Sequence, residues 1–161
     1  MSEYQNFLKL LAENMPFEDT AIEKALEHFT MLNTDKPFKV LCRPDSTNYN
    51  VLKFDAEIGN GEQTIRVEVK TDHRSTETGN FFIEYSGYGK PTGIAITDAH
   101  YYVINDTMNY YLISVHKLLA IIKRYDEVGK LKRVQFSSSD GHVTKGYIFK
   151  KAVLLKFATV I

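Results

Sequence analysis

The stretch VLKFDAEIGNGEQTIRVEVKTD, residues 51–72, decides the fold. Val51 to Ile58 has the alternation of a strand, Gly59-Asn60-Gly61 is a turn, and Glu62 to Lys70 alternates again. Asn-Gly between two such runs is a strong short-range signal for a β-hairpin. A two-residue turn at Asn60-Gly61 pairs Gly59 with Glu62 and sets Asp55 opposite Arg66. Side chains alternate with period two, so Arg66, Glu68 and Lys70 share the face of Asp55. Glu68 is then the diagonal neighbour of Asp55, at roughly 7–8 Å. Val67 and Val69 point the other way and are expected to pack against a helix. A slip of one residue would break this face, so the geometry rests on the turn.

Two converging carboxylates repel unless a cation lies between them. Mg²⁺ suits the position, because it takes oxygen ligands, keeps waters and shares its shell with phosphate. Such an ion activates water and neutralises charge on a phosphate oxygen. Lys70 is placed to orient the water or to stabilise developing negative charge. The plain structural alternative is a carboxylate–lysine ladder on a half-exposed hairpin. Glu-x-Lys carries no information alone; the acidic residue on the preceding strand gives it content.

The rest of the chain bounds the class. With 161 residues, 43% apolar and 25% charged, it reads as one globular domain over 1–161. No apolar run approaches the roughly 18 residues of a membrane span. Met1 to Met15 carries Glu3 and Glu13 and reads as an amphipathic helix, without the basic start of a signal peptide. An intracellular protein with no membrane contact is expected. Cys42 is the single cysteine, which excludes an intrachain disulfide and a cysteine-based zinc site. Cys42 is expected to be a small core residue.

Zero net charge hides an uneven distribution. Residues 1–35 hold two basic and seven acidic residues, whereas 116–161 hold ten basic and three acidic. The dense part, Lys117, Lys123, Arg124, Lys130, Lys132 and Arg133, is a candidate phosphate-binding patch, or else a solvated helix face and loop.

Working outward from the hairpin, Phe17 to Leu32 reads as a helix, with Ala21, Ile22, Ala25, Leu26, Phe29 and Leu32 at helical spacing. Phe38 to Leu41 reads as a short strand and Arg43 to Asn50 as a polar loop. After a loop over 71–80, Phe81 to Tyr85 is expected as a third strand of the same sheet. Ser86 to Gly93 reads as a turn, Thr97 to Tyr102 as a short helical turn, and strands follow near 102–104 and 110–114. Val115 to Tyr125 reads as a basic amphipathic helix, and Tyr147 to Val153 with the C-terminus as a return to the sheet. The expected class is α/β (α+β), a mixed sheet flanked by helices.

These residues resemble a family. Asp55 followed by Glu68-Val69-Lys70 resembles the D…(D/E)-x-K signature of the PD-(D/E)XK nuclease superfamily, and the element order resembles its restriction-endonuclease-like αβββαβ core. Thr78-Gly79-Asn80 with Glu84, Gly93-Ile94, and Thr97-x-Ala99-x-Tyr101 are similar to a subgroup of small phage-type putative endonucleases. The resemblance covers about residues 51–104. Phe54 stands where many members have proline, Thr92 where serine is usual, and His100 where aspartate is usual.

The resemblance implies a metal-dependent DNA endonuclease, a phosphodiester hydrolase of a bacterial or phage setting. Asp55, Glu68 and the backbone carbonyl of Val69 would hold Mg²⁺ or Mn²⁺, and Lys70 would be the catalytic lysine. Glu18, with Glu23 as its alternative, would add a carboxylate from the first helix, and Glu84 would border the site. A homodimer is implied by the same comparison. The competing expectation is a non-catalytic nucleic-acid-binding or scaffold protein on a nuclease-like fold. Substrate form is open between duplex, junction, flap, single strand and RNA.

Other signals are weaker. His73 and Arg74 follow the Glu-x-Lys strand and are candidate contacts to the scissile DNA strand. Lys90 lies in a Gly-rich turn that fails the Walker pattern, and is a candidate phosphate contact. The five histidines lack metal-ligand spacing. The tyrosines between Tyr85 and Tyr111 are expected mainly in the sheet core rather than stacked on bases.

Overall fold

The computed structural model describes residues 3–45, 49–139 and 141–161; part of the expected loop over 43–50 lies outside them. Along the chain, α1 (Glu3–Leu32) leads into β1 (Lys39–Cys42), a short α2 (Tyr49–Leu52), β2 (Ala56–Gly59) and β3 (Thr64–Thr71). A one-turn α3 (Ser75–Thr78), β4 (Asn80–Gly87), β5 (Lys90–Pro91) and a 3-10 turn at Gly93–Ala95 follow. Then come β6 (Tyr101–Asn105), β7 (Tyr110–Ser114), α4 (Val115–Glu127), β8 (Lys132–Ser137), β9 (Val143–Lys150), α5 (Lys151–Leu154) and β10 (Thr159–Val160). The fold is mixed α+β with two sheets, ordered β1-β2-β3-β6-β7-β10 and β5-β4-β9-β8. In the larger sheet β3 and β6 run parallel and the other neighbours antiparallel.

The apolar stripe of α1 covers one face of the larger sheet. Ala21, Ile22, Ala25 and Phe29 pack on Val67, Val69, Val103 and Leu112, as the alternating valines predict. Burying each such side chain stabilises by about 1.5–3 kcal/mol. The two helical stretches expected on either side of Pro16 form one helix. Thr20 Oγ1 donates to the Pro16 carbonyl at 2.9 Å. The opposite face of the larger sheet, with Tyr102, Ile104, Tyr111 and Ile113, packs against Phe81, Ile83 and Phe149 of the smaller sheet and Leu118 and Ile121 of α4. Tyr102, Tyr110 and Tyr111 are core residues. Cys42 is only half-buried, next to a register shift in β1.

Four expectations are corrected. The hairpin closes through a four-residue loop, because Asn60 Oδ1 accepts from the Glu62 and Gln63 N–H groups (3.0 and 2.8 Å) and Asn60 N–H donates to Gln63 O. Gly59 therefore pairs with Thr64 rather than Glu62. The expected strand from Val51 begins only at Ala56, since α2 occupies Tyr49–Leu52 and Lys53 has φ 51°. Phe81–Tyr85 is a strand but belongs to the second sheet, paired with β9. Its Phe81/Ile83 side finds an apolar partner in the back of β6 and β7 instead of a backbone partner beside β3. The crossover from β3 to its parallel neighbour β6 thus runs through β4 and β5, with a 3-10 turn at Gly93–Ala95 in place of the helical turn expected at 97–102.

Candidate active site

The two-residue shift keeps every side chain on its expected face, because it is a whole period of the strand. It changes the partner. Ala56 faces Val67 as the first paired residue of β2, and Asp55 stands just before it, beside β3. Asp55 N–H donates to Val67 O at 2.9 Å, and Asp55 Oδ2 accepts from Val69 N–H at 2.7 Å. The aspartate side chain thus takes over from the β2 backbone at the point where the strand begins. N–H and C=O of one strand residue point to the same edge. The Val69 carbonyl therefore faces the side that the Asp55 carboxylate occupies.

Glu68 is 1% exposed, and Lys70 Nζ lies 2.6 Å from its Oε1. Tyr102 sits beside Glu68 on β6, wholly buried. Burial pushes its hydroxyl well above the ordinary tyrosine range. Asp55 keeps part of its surface, yet desolvation pushes its carboxyl up to about 7. The Glu68 charge adds to that rise and Glu18 adds a smaller push, while Lys70 and the Val69 N–H oppose it. A like-charge pair in this setting is relieved by a proton or by a cation.

The donor set fits a hard divalent ion. Among the described residues no group of three or more His, Cys, Asp or Glu side chains could enclose an ion unaided. Two carboxylates and a main-chain carbonyl suit an ion that retains several waters, as Mg²⁺ does. Glu18 is the helix carboxylate that reaches the electrostatics of Asp55, and its Oε1 accepts from Arg43 Nη2 at 2.7 Å, with Asp19 on Nη1. Glu23 is exposed on α1.

The C-terminal end of β3 is fixed by groups that sequence reasoning missed. Buried Asn105 donates from Nδ2 to Thr71 Oγ1 at 2.9 Å and reaches Lys70 O at 3.5 Å. Asp72 N–H donates to Asn105 O, and its carboxylate accepts from the N–H groups of Arg74 and Phe82. Asn105→Ala leaves these groups unanswered and is expected to cost about 1–3 kcal/mol, read in urea unfolding. His100, at the position where the family resemblance leads one to expect aspartate, accepts the Arg66 N–H on Nδ1 at 3.0 Å and donates its own N–H to Arg66 O. It extends the β3–β6 ladder by one residue.

The remaining candidates are dispersed. His73 donates from Nε2 to Asn14 Oδ1 at 2.7 Å, tying the loop after β3 to α1, and Arg74 beside it is exposed. Glu84 accepts from Thr92 Oγ1 and lines the same cleft as Lys70. Lys90 is exposed on the edge strand β5. The basic cluster divides. Lys117, Lys123 and Arg124 are exposed on α4, the last two near Glu127, and Lys130 is exposed in the turn after it. Arg133 pairs with Asp126 at 2.8 Å, whereas Lys132 alternates onto the opposite face of β8. No helix among the described residues is long and apolar enough to cross a membrane.

No protein-family model, curated protein or solved structure matches the chain.

Proposed function

We propose that the chain is a metal-dependent nuclease of DNA, with a PD-(D/E)XK-type core formed by α1, the β1-β2-β3 meander and the parallel strand β6. The observation that carries this reading is that Asp55, held on the Val69 N–H, lies within electrostatic reach of buried Glu68, whose Oε1 is 2.6 Å from Lys70 Nζ two residues further along β3. Asp55, Glu68 and the Val69 carbonyl would hold Mg²⁺ or Mn²⁺. Bound there, the ion would supply an activated water and charge neutralisation on a phosphate oxygen.

The chain's own groups do the rest. Val69 N–H holds one oxygen of Asp55, which fixes the carboxylate against rotation. Lys70 neutralises Glu68 before substrate arrives, and its ammonium is half-exposed at the mouth of a cleft, where a scissile phosphate can meet it. Asn105 fixes the backbone that carries Lys70. Cleavage of plasmid, single-stranded DNA and a four-way junction in Mg²⁺ and Mn²⁺ tests the proposal. Wild-type cutting is expected to vanish with EDTA and to fall at least about a hundredfold in Lys70→Ala. Absence of metal-dependent cutting on every substrate would instead favour a non-catalytic nucleic-acid-binding protein.

A further inference from the structure

Lys70 opens onto a cleft of about 540 Å³ whose chemistry differs from that of the carboxylate pair. Its apolar wall is Phe82, Ile104, Phe136 and Ile148. Phe82 and Phe136 meet edge to face, with ring centroids 5.3 Å apart at 72°. Phe136 lies on β8, a sheet edge, and is 47% exposed. Phe82 owes its position to Gly146 of β9. A Cβ at 146 would lie 2.2 Å from the Phe82 ring, so only glycine lets that ring lie across the neighbouring strand. The Phe82 ring thus lies over Gly146, with Phe136 against it at the sheet edge.

Lys70 and Arg74 line the cleft together with two carboxylates: Asp72, engaged by the Arg74 and Phe82 N–H groups, and Glu84, on the same face of β4 as Phe82. A carboxylate among aromatic side chains repels a phosphate and accepts from the exocyclic amine of a base. The size falls within the range of small-molecule sites. A base inside a duplex would first have to unstack, at a cost of a few kcal/mol.

We propose that this cleft takes one unpaired nucleobase, stacked on Phe82 and Phe136, while the adjoining phosphate meets Lys70, so that the substrate is nucleic acid single-stranded at the cut. The inference rests on the nuclease reading for the cut itself, but not for base binding. Base–aromatic stacking is worth about tenfold in affinity per base.

The test uses single-stranded and fully duplex oligonucleotides carrying 2-aminopurine, first in EDTA and then in Mn²⁺. In EDTA the single strand is expected to lose 2-aminopurine emission on binding. Its affinity is expected to fall about tenfold with Phe136→Ala and to recover with Phe136→Trp. An abasic site at the same nucleotide is expected to weaken wild-type binding equally, a readout that needs no mutant. In Mn²⁺ the KM for single strands is expected to rise with Phe136→Ala and kcat to hold within about twofold. Cutting that ignores both Phe136→Ala and the abasic site overturns the base site and leaves the nuclease reading standing. A Phe136-dependent loss of emission without cutting supports the base site and removes the nuclease reading. Equal affinity for duplex and single strand overturns the substrate assignment.

Discussion

Asp55→Asn is expected to abolish metal-dependent cleavage and at the same time to stabilise the metal-free protein at pH 8. The wild-type carboxyl titrates near 7 in the fold, raised by desolvation and by Glu68, against an ordinary value of 3.8 in the unfolded chain. Between those values the folded state binds the proton and the unfolded state does not. Stability therefore falls as pH rises through this window, and the full cost stands above about pH 7. A tenfold difference in proton affinity between the two states corresponds to about 1.4 kcal/mol. With the partial exposure of Asp55 allowed for, the cost at pH 8 is about 2–4 kcal/mol. Asparagine keeps an oxygen to accept the Val69 N–H but carries no charge. The variant's advantage in urea unfolding should be near zero at pH 4 and largest at pH 8. Parallel pH profiles for the two proteins would contradict a buried, like-charged Asp55. Mn²⁺ should raise the Tm of the wild type, more at pH 8 than at pH 6, and leave the variant unmoved.

Gly93→Ala is expected to be the most damaging conservative change outside the site. Gly93 has φ 51°, in the left-handed region, and a Cβ there would lie 2.4 Å from the Glu84 carbonyl oxygen. The conformational cost of about 1–2 kcal/mol adds to a clash with backbone that cannot rotate away. A loss of about 3 kcal/mol or more follows, which for a chain of this size lowers Tm by roughly 6–12 °C. Because Glu84 lies against the turn, the strain falls on the wall of the cleft beside Lys70. Thermal unfolding checks the magnitude, and an unchanged Tm would mean that the turn at 93 is free to relax.

The hairpin shows what a sequence can and cannot state. Its alternation fixes which face each strand residue takes, so Glu68 and Lys70 share a face under either turn length, and Val67 and Val69 meet α1. The pairing partner depends on the loop, and there the Asn60 side chain decided in favour of four residues by capping two backbone N–H groups. That local choice slides β2 by two residues along β3, toward Glu68. The membership of β4 in a second sheet was not legible, because Phe81 and Ile83 look the same whether their strand hydrogen-bonds beside β3 or packs over β6. β8 was hidden for another reason. Lys132-Arg133-Val134-Gln135-Phe136 follows a basic helix and reads as its continuation in charge, although it pairs with β9 along its length. Asn105 and Asp72 act through contacts far apart in sequence, which no local pattern announces.

The smaller sheet ends on β8, whose outer backbone groups have no strand beside them among the described residues. Its other edge, β5, is two residues long and contains Pro91. An open strand of six residues with an exposed phenylalanine invites a second chain to add to it, and cationic side chains on such a strand discourage that by charge repulsion. Lys132 and Arg133 stand at the start of β8, one on each face. Replacing both with threonine would leave an uncharged, β-prone ribbon of Val134, Gln135 and Phe136, and concentration-dependent aggregation is the natural result. The same two cations that suggest a grip on phosphate also keep one copy of the molecule from zipping onto the next.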